Sequence, residues 1–95
     1  MAGYVIVRVE ITDMEQYKKY IALTPATIYK FGGRFIARGG EAITLEGPEE
    51  KRRIIILEFP SLKRAEQWYH SEDYQEVRKL RAVAAVGELV AVEGV

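Results

Sequence analysis

The chain has 95 residues, enough for one domain (1–95) and too few for two. A hydrophobic share of 48% excludes a disordered chain, and fourteen basic against fourteen acidic side chains leave no net charge, which argues against a nucleic-acid module or electrostatic docking on anionic lipid. With no cysteine, disulfides, thiolate nucleophiles, zinc knuckles and iron–sulfur clusters are ruled out.

In residues 4–11, Val5, Val7, Val9 and Ile11 share one face and Tyr4, Ile6, Arg8 and Glu10 the other, which predicts a strand. No basic leader, long apolar core or membrane span is found, so a cytoplasmic protein with no membrane partner is expected. Thr12 with Glu15, or Asp13 with Gln16, forms a capping box that opens a helix. Tyr17, Tyr20, Ile21, Thr24 and Ile28 recur at helical spacing as its inward stripe. Pro25 interrupts that stripe and predicts a kink or break near residues 21–24, and Gly32-Gly33 ends the element. Residues 34–38 read as a second strand that bends at Gly39-Gly40 and continues over 42–46.

After the charged turn Gly47-Pro48-Glu49-Glu50, residues 52–59 read as a strand apolar on both faces. Ile54 and Ile56 point one way; Ile55, Leu57 and Phe59 point the other. Pro60 ends this strand and Ser61 caps a helix over 62–69. Ser71 caps another over 72–86 with Tyr74, Val77, Leu80 and Ala84 as its stripe, Gly87 stops it, and 89–93 is the last strand. The order strand, helix, strand, strand, helix, strand is an α+β, ferredoxin-like βαββαβ pattern, a four-stranded antiparallel sheet with helices on one face. The bare face would be an apolar patch, and a second copy of the chain is the simplest cover, so a homodimer is expected.

Gly32-Gly33-Arg34-Phe35-Ile36-Ala37-Arg38-Gly39-Gly40, Leu45-Glu46-Gly47, Glu58-Phe59-Pro60-Ser61, Trp68-Tyr69 with Ser71 and Tyr74, and Val92-Glu93-Gly94-Val95 resemble the family of unknown function numbered thirteen-thirty (DUF1330). That resemblance implies the dimeric α/β-barrel superfamily, the same fold and the same dimer, and supplies no reaction. Where many members carry His this chain has Phe31, so any role of that His is lost here. The wider superfamily includes cofactor-independent monooxygenases of polyketide quinones, muconolactone isomerases, haem-binding oxidoreductases and amino-acid-sensing domains. One fold hosting so many functions identifies none of them.

Glu58 shares a strand face with Ile54 and Ile56. It is either a partly buried general base with a raised pKa or a structural ion-pair partner of Arg38 or Arg78. Arg38, before two glycines, either holds the charge of a ligand or braces Glu58 at a strand bend. Tyr74, Arg78 and Arg81 at i, i+4 and i+7 either line a cleft for a small anion or serve as surface charges. Trp68 and Tyr69 wall a pocket or fill the core, and His70, the one histidine, lies in a predicted loop as a general base or lone ligand. Tyr17, Tyr20 and Tyr29 line either core or cleft.

No metal or cofactor is expected. Phosphate-loop, dinucleotide and nucleophile-elbow motifs are missing, as is the aromatic strand motif of RNA-recognition modules. An acylphosphatase, which shares the topology, needs an asparagine that this chain lacks. The expectation is a homodimer with a small-molecule cleft between sheet and helices, holding Glu58 and Arg38. Its function is either cofactor-independent proton transfer or oxygenase-type chemistry, or non-catalytic binding or sensing, or a purely structural dimer.

Overall fold

The alternation of residues 4–11 becomes β1 (Gly3–Ile11), the inner strand that pairs antiparallel with β3 (Arg53–Phe59) on one side and β4 (Ala85–Glu93) on the other. β2 (Arg34–Arg38) adds to the far edge of β3, so the sheet order is β2-β3-β1-β4. This computed structural model describes residues 1–95. Three helices, α1 (Met14–Lys30), α2 (Leu62–His70) and α3 (Glu72–Ala82), complete the ferredoxin-like βαββαβ arrangement. None is long and apolar enough to cross a membrane.

The caps follow the local chemistry. Of the two boxes available to α1, Asp13 is used: its carboxylate accepts from the Gln16 amide at 3.2 Å. At the other end the Gly33 amide donates to the Ile28 carbonyl and the Gly32 amide to that of Tyr29, a Schellman closure that needs Gly32 at φ +78°. Between these ends α1 is continuous, so of the kink or break expected near residues 21–24 the break does not occur. The Thr24 hydroxyl donates to the Tyr20 carbonyl at 2.6 Å, and the buried face of Tyr17, Tyr20, Thr24, Thr27 and Ile28 holds the helix against the sheet on both sides of the proline.

Three other expectations are corrected. Residues 42–46 form no strand; the irregularity in β2 lies earlier, between Phe35 and Ala37. The last helix stops at Ala82, and β4 begins at Ala85 and runs through Gly87. The segment 83–86 has only small and β-branched residues, and sheet pairing decides it: Ala85 lies opposite Ile11, and the Ala84 carbonyl accepts from the Thr12 and Asp13 amides. His70 is the final residue of α2 rather than a loop residue.

Cross-strand register sorts the two faces. On the helix side stand the rows Phe35–Leu57–Val5–Ala91, Arg38–Ile55–Val7–Leu89 and Arg53–Val9–Gly87. On the open side stand Arg34–Glu58–Tyr4–Val92, Ala37–Ile56–Ile6–Val90 and Ile54–Arg8–Glu88. The core forms on the helix side from Val5, Val7, Val9, Leu57 and Phe59 against Tyr17, Ile28, Trp68 and Tyr74. Ile54 and Ile56, on the open face, are half-buried within the single chain.

Candidate functional site

The helix side of the sheet holds two hollows. The larger is an open groove of about 560 Å3 bounded by α2, α3 and β4. Trp68, Tyr69 and His70 come from α2, Arg78 and Arg81 from α3, and Gly87 and Leu89 from β4, with Val5 in the floor. Five of the ligand-binding candidates read from the sequence therefore meet here. The sixth, Tyr74, is buried behind them, its ring centroid 4.3 Å from that of Trp68. Tyr69 packs against both rings, and Ser71 joins the two helices: its hydroxyl accepts from the Tyr74 amide and donates to the Trp68 carbonyl.

The smaller hollow, about 30 Å3, lies between α1 and the sheet. Tyr17, Tyr20 and Thr24 line it from the helix, and Phe35, Arg38, Arg53 and Ile55 from the strands. Trp68 and Arg81 border both hollows. A buried polar chain frames it. The Trp68 indole donates to the Thr27 hydroxyl at 3.1 Å, Thr27 donates to the Thr24 carbonyl, and the Tyr20 and Tyr74 hydroxyls share a hydrogen bond of 2.8 Å. Burial and then the neighbouring Tyr74 push the Tyr20 pKa well above its ordinary value, so the phenol stays protonated. Burial opposes the Arg81 charge, but the Tyr74 and Tyr20 hydroxyls outweigh it and keep that pKa above the usual guanidinium value.

Glu58 and Arg38 are not brought together. Glu58 lies opposite Tyr4 and Arg34 on the open face, while Arg38 lies opposite Ile55 on the helix face, stacked 4.1 Å over the Phe35 ring. The partner of Glu58 is Arg34 at 2.6 Å, not Arg38 or Arg78. The Arg34 hydrogen bond, followed by one from Tyr4, holds the carboxyl below the usual carboxylate range, opposite to the rise a general base would need. The bulge in β2 explains the mispairing: it reverses the parity between Phe35 and Arg38, so the two arginines of this strand face opposite ways.

Sequence reasoning missed Arg53 and the depth of Arg81. Both had a signal. Arg53 has the strand parity of Ile55, Leu57 and Phe59, and Arg81 follows Tyr74 and Val77 at helical spacing on the buried face. Tyr17 and Tyr20 are core residues that also line the small hollow, whereas Tyr29 is exposed. No group of three or more His, Asp or Glu stands where it could hold a metal.

The model of a family described as a domain of unknown function (DUF1330) matches residues 2–95. A protein of unknown function from Rhodopseudomonas palustris superposes with a TM-score of 0.80 at 20% identity, covering 99% of this chain and 82% of its own. A dimeric ferredoxin-like protein of unknown function from Jannaschia sp. CCS1 gives 0.71 at 14% identity, covering 99% and 100%. SnoaB, a cofactor-independent oxygenase from Streptomyces nogalater, gives 0.70 at 9% identity, covering 99% and 93%. At these identities the likeness is one of fold. No curated protein matches the chain.

Proposed function

The chain belongs to the DUF1330 family, and we propose that it works as a homodimer in which each subunit binds one small organic molecule in the groove between α2, α3 and β4. The observation that carries this reading is the groove itself: about 560 Å3, with an apolar and aromatic wall and a few converging polar groups at His70, Arg78 and Arg81. Small-molecule sites have this composition and span roughly 300–1,000 Å3. The dimer follows from the open face of the sheet, where Ile6, Ile54, Ile56, Val90 and Val92 would otherwise remain in water. The Jannaschia protein of the same fold is dimeric. Sheet-to-sheet pairing of two copies would make a dimeric α/β barrel, with the groove on the helix side meeting that interface only at Val90 on the β4 edge.

A catalytic version of the reading is chemistry without a cofactor, either proton transfer or the oxygenase type described for SnoaB, which has the same fold. Its base would be His70, with Arg78 and Arg81 holding negative charge on the substrate. Glu58 is the weaker candidate for this role, because it lies on the opposite face and its ion pair with Arg34 lowers its basicity.

Trp68 is the single tryptophan and borders the groove, so its fluorescence reports occupancy. A library of flat aromatic compounds should contain members that change this signal saturably, and Tyr69→Ala or Arg78→Ala should weaken them about tenfold. Absence of any saturable change, or indifference to both substitutions, would overturn the groove. A ligand recovered unaltered after long incubation would mark a binding or sensing module; its conversion, lost in His70→Gln, would mark an enzyme.

A further inference from the structure

The hollow under α1 collects three guanidinium groups and no acid. Register fixes their origin. Arg38 stands opposite Ile55 and Arg53 opposite Val9, both on the helix side, while Arg81 descends from α3 onto Gly87, in the same row as Arg53. The next acid along β1, Glu10, falls on the other face of the sheet. The arginines that pair with carboxylates are Arg8, Arg34 and Arg52 instead.

Arg81 is only 7% exposed, and the Nε groups of Arg53 and Arg81 are both buried with no acceptor. A buried guanidinium ordinarily has a carboxylate or several acceptors, because an unpaired charge inside a protein is strongly unfavourable. The backbone is nonetheless arranged to admit these heads. A Cβ at Gly39 would stand 2.5 Å from the Arg53 guanidinium carbon, and one at Gly87 would stand 2.7 Å from an Arg81 terminal nitrogen. Two glycines thus leave room for two charges that meet no carboxylate within the chain, Arg81 having only tyrosine hydroxyls beside it. The Tyr20–Tyr74 hydroxyl pair adds a donor, since one of its two protons is not used in the bond between them.

We propose that the hollow under α1 is a carboxylate site, in which Arg53 and Arg81 bind the ionised head of a small organic acid and Arg38 guards the mouth. A guanidinium fork matches the two coplanar oxygens of a carboxylate. The room available, about 30 Å3, suits a flat head of that size better than a tetrahedral phosphate or sulfate. Phe35, Ile55 and Leu57 supply the apolar wall for the carbon next to it.

The test is a titration of the isotope-labelled protein with sodium acetate and sodium propionate, following the arginine Nε–H signals at constant ionic strength. The expected result is a saturable shift of the Arg53 and Arg81 signals, with propionate bound at least as well as acetate. Arg81→Gln should weaken binding at least about tenfold. Because that position lies in the core, the exposed Arg38→Ala is the companion variant, expected to weaken binding about threefold in an otherwise unchanged spectrum. Arg64→Ala, away from the hollow, should have no effect. Chloride or phosphate producing the same saturable shifts would overturn the carboxylate assignment, as would the absence of any saturable shift with either acid.

Discussion

Glu58 and Arg81 show how one residue's meaning depends on what its neighbours leave available. Glu58 sits on a strand of isoleucines, yet its side chain remains 24% exposed and finds Arg34 and Tyr4 across the strands. Its folded pKa lies below 4.5, so the stability it contributes is complete above the unfolded value and fades as the pH falls through the folded one. We predict that wild type is more stable than Glu58→Gln at neutral pH and that the difference closes as the pH falls through and below the ordinary carboxylate range. Thermal melts of both proteins across that range check it. A gap that widened on acidification would mean a raised pKa and would restore the general-base reading. Arg81 is the reverse case: at one helical spacing from Arg78 it looks like another surface charge, but the turn of α3 carries it inward to Tyr74 and Gly87.

Among the elements, those with strong local punctuation were legible and those without it were not. Asp13, Ser61 and Ser71 each cap the helix that their side-chain chemistry predicts. Ser71 does more than its position suggests, because the same hydroxyl closes α2 on the Trp68 carbonyl and opens α3 on the Tyr74 amide. Ser71→Ala should therefore cost toward the upper end of the usual cap range, about 2 kcal/mol, measured as a shift in urea midpoint at unchanged slope. A loss of a few tenths would mean that the helix junction is held by the packing of Trp68, Tyr69 and Tyr74 alone. The boundary between α3 and β4 carried no comparable signal: Val83 to Val86 suits either state, and only the partner strand β1 settles it.

At the scale of the molecule, the extents of 32 × 31 × 17 Å describe a slab, one sheet and one layer of helices. Its open face has an apolar middle row, Ala37–Ile56–Ile6–Val90, between two charged ends. Arg34 pairs with Glu58 at one end, and Arg8 and Arg52 meet Glu50 at the other, where Arg52 also reaches Glu88. Ile43 and Leu45, 75% and 93% exposed, lie in the irregular segment after β2. A second copy would cover such a surface, and Ile56→Lys should break it because the new charge would be buried at the centre of the pair. Native mass spectrometry should then move from twice 10.8 kDa to 10.8 kDa, with the circular dichroism spectrum retained. A wild-type monomer would remove the dimer from the reading while leaving the groove, which lies on the opposite side.

Alternation of side chains, cap residues and glycine placement determined the order of elements, the ferredoxin-like fold and the two faces of β1 and β3, because each of these depends on neighbours within a few positions in the chain. The clustering of Trp68, Tyr69, His70, Arg78 and Arg81 was also within reach, since two adjacent helices carry all five. Which arginine meets which carboxylate was not. That depended on a bulge in β2 that reverses side-chain parity, and on packing between α1, α3 and the sheet that buries Arg81 beside Arg53, residues far apart in sequence and related only through the strands between them.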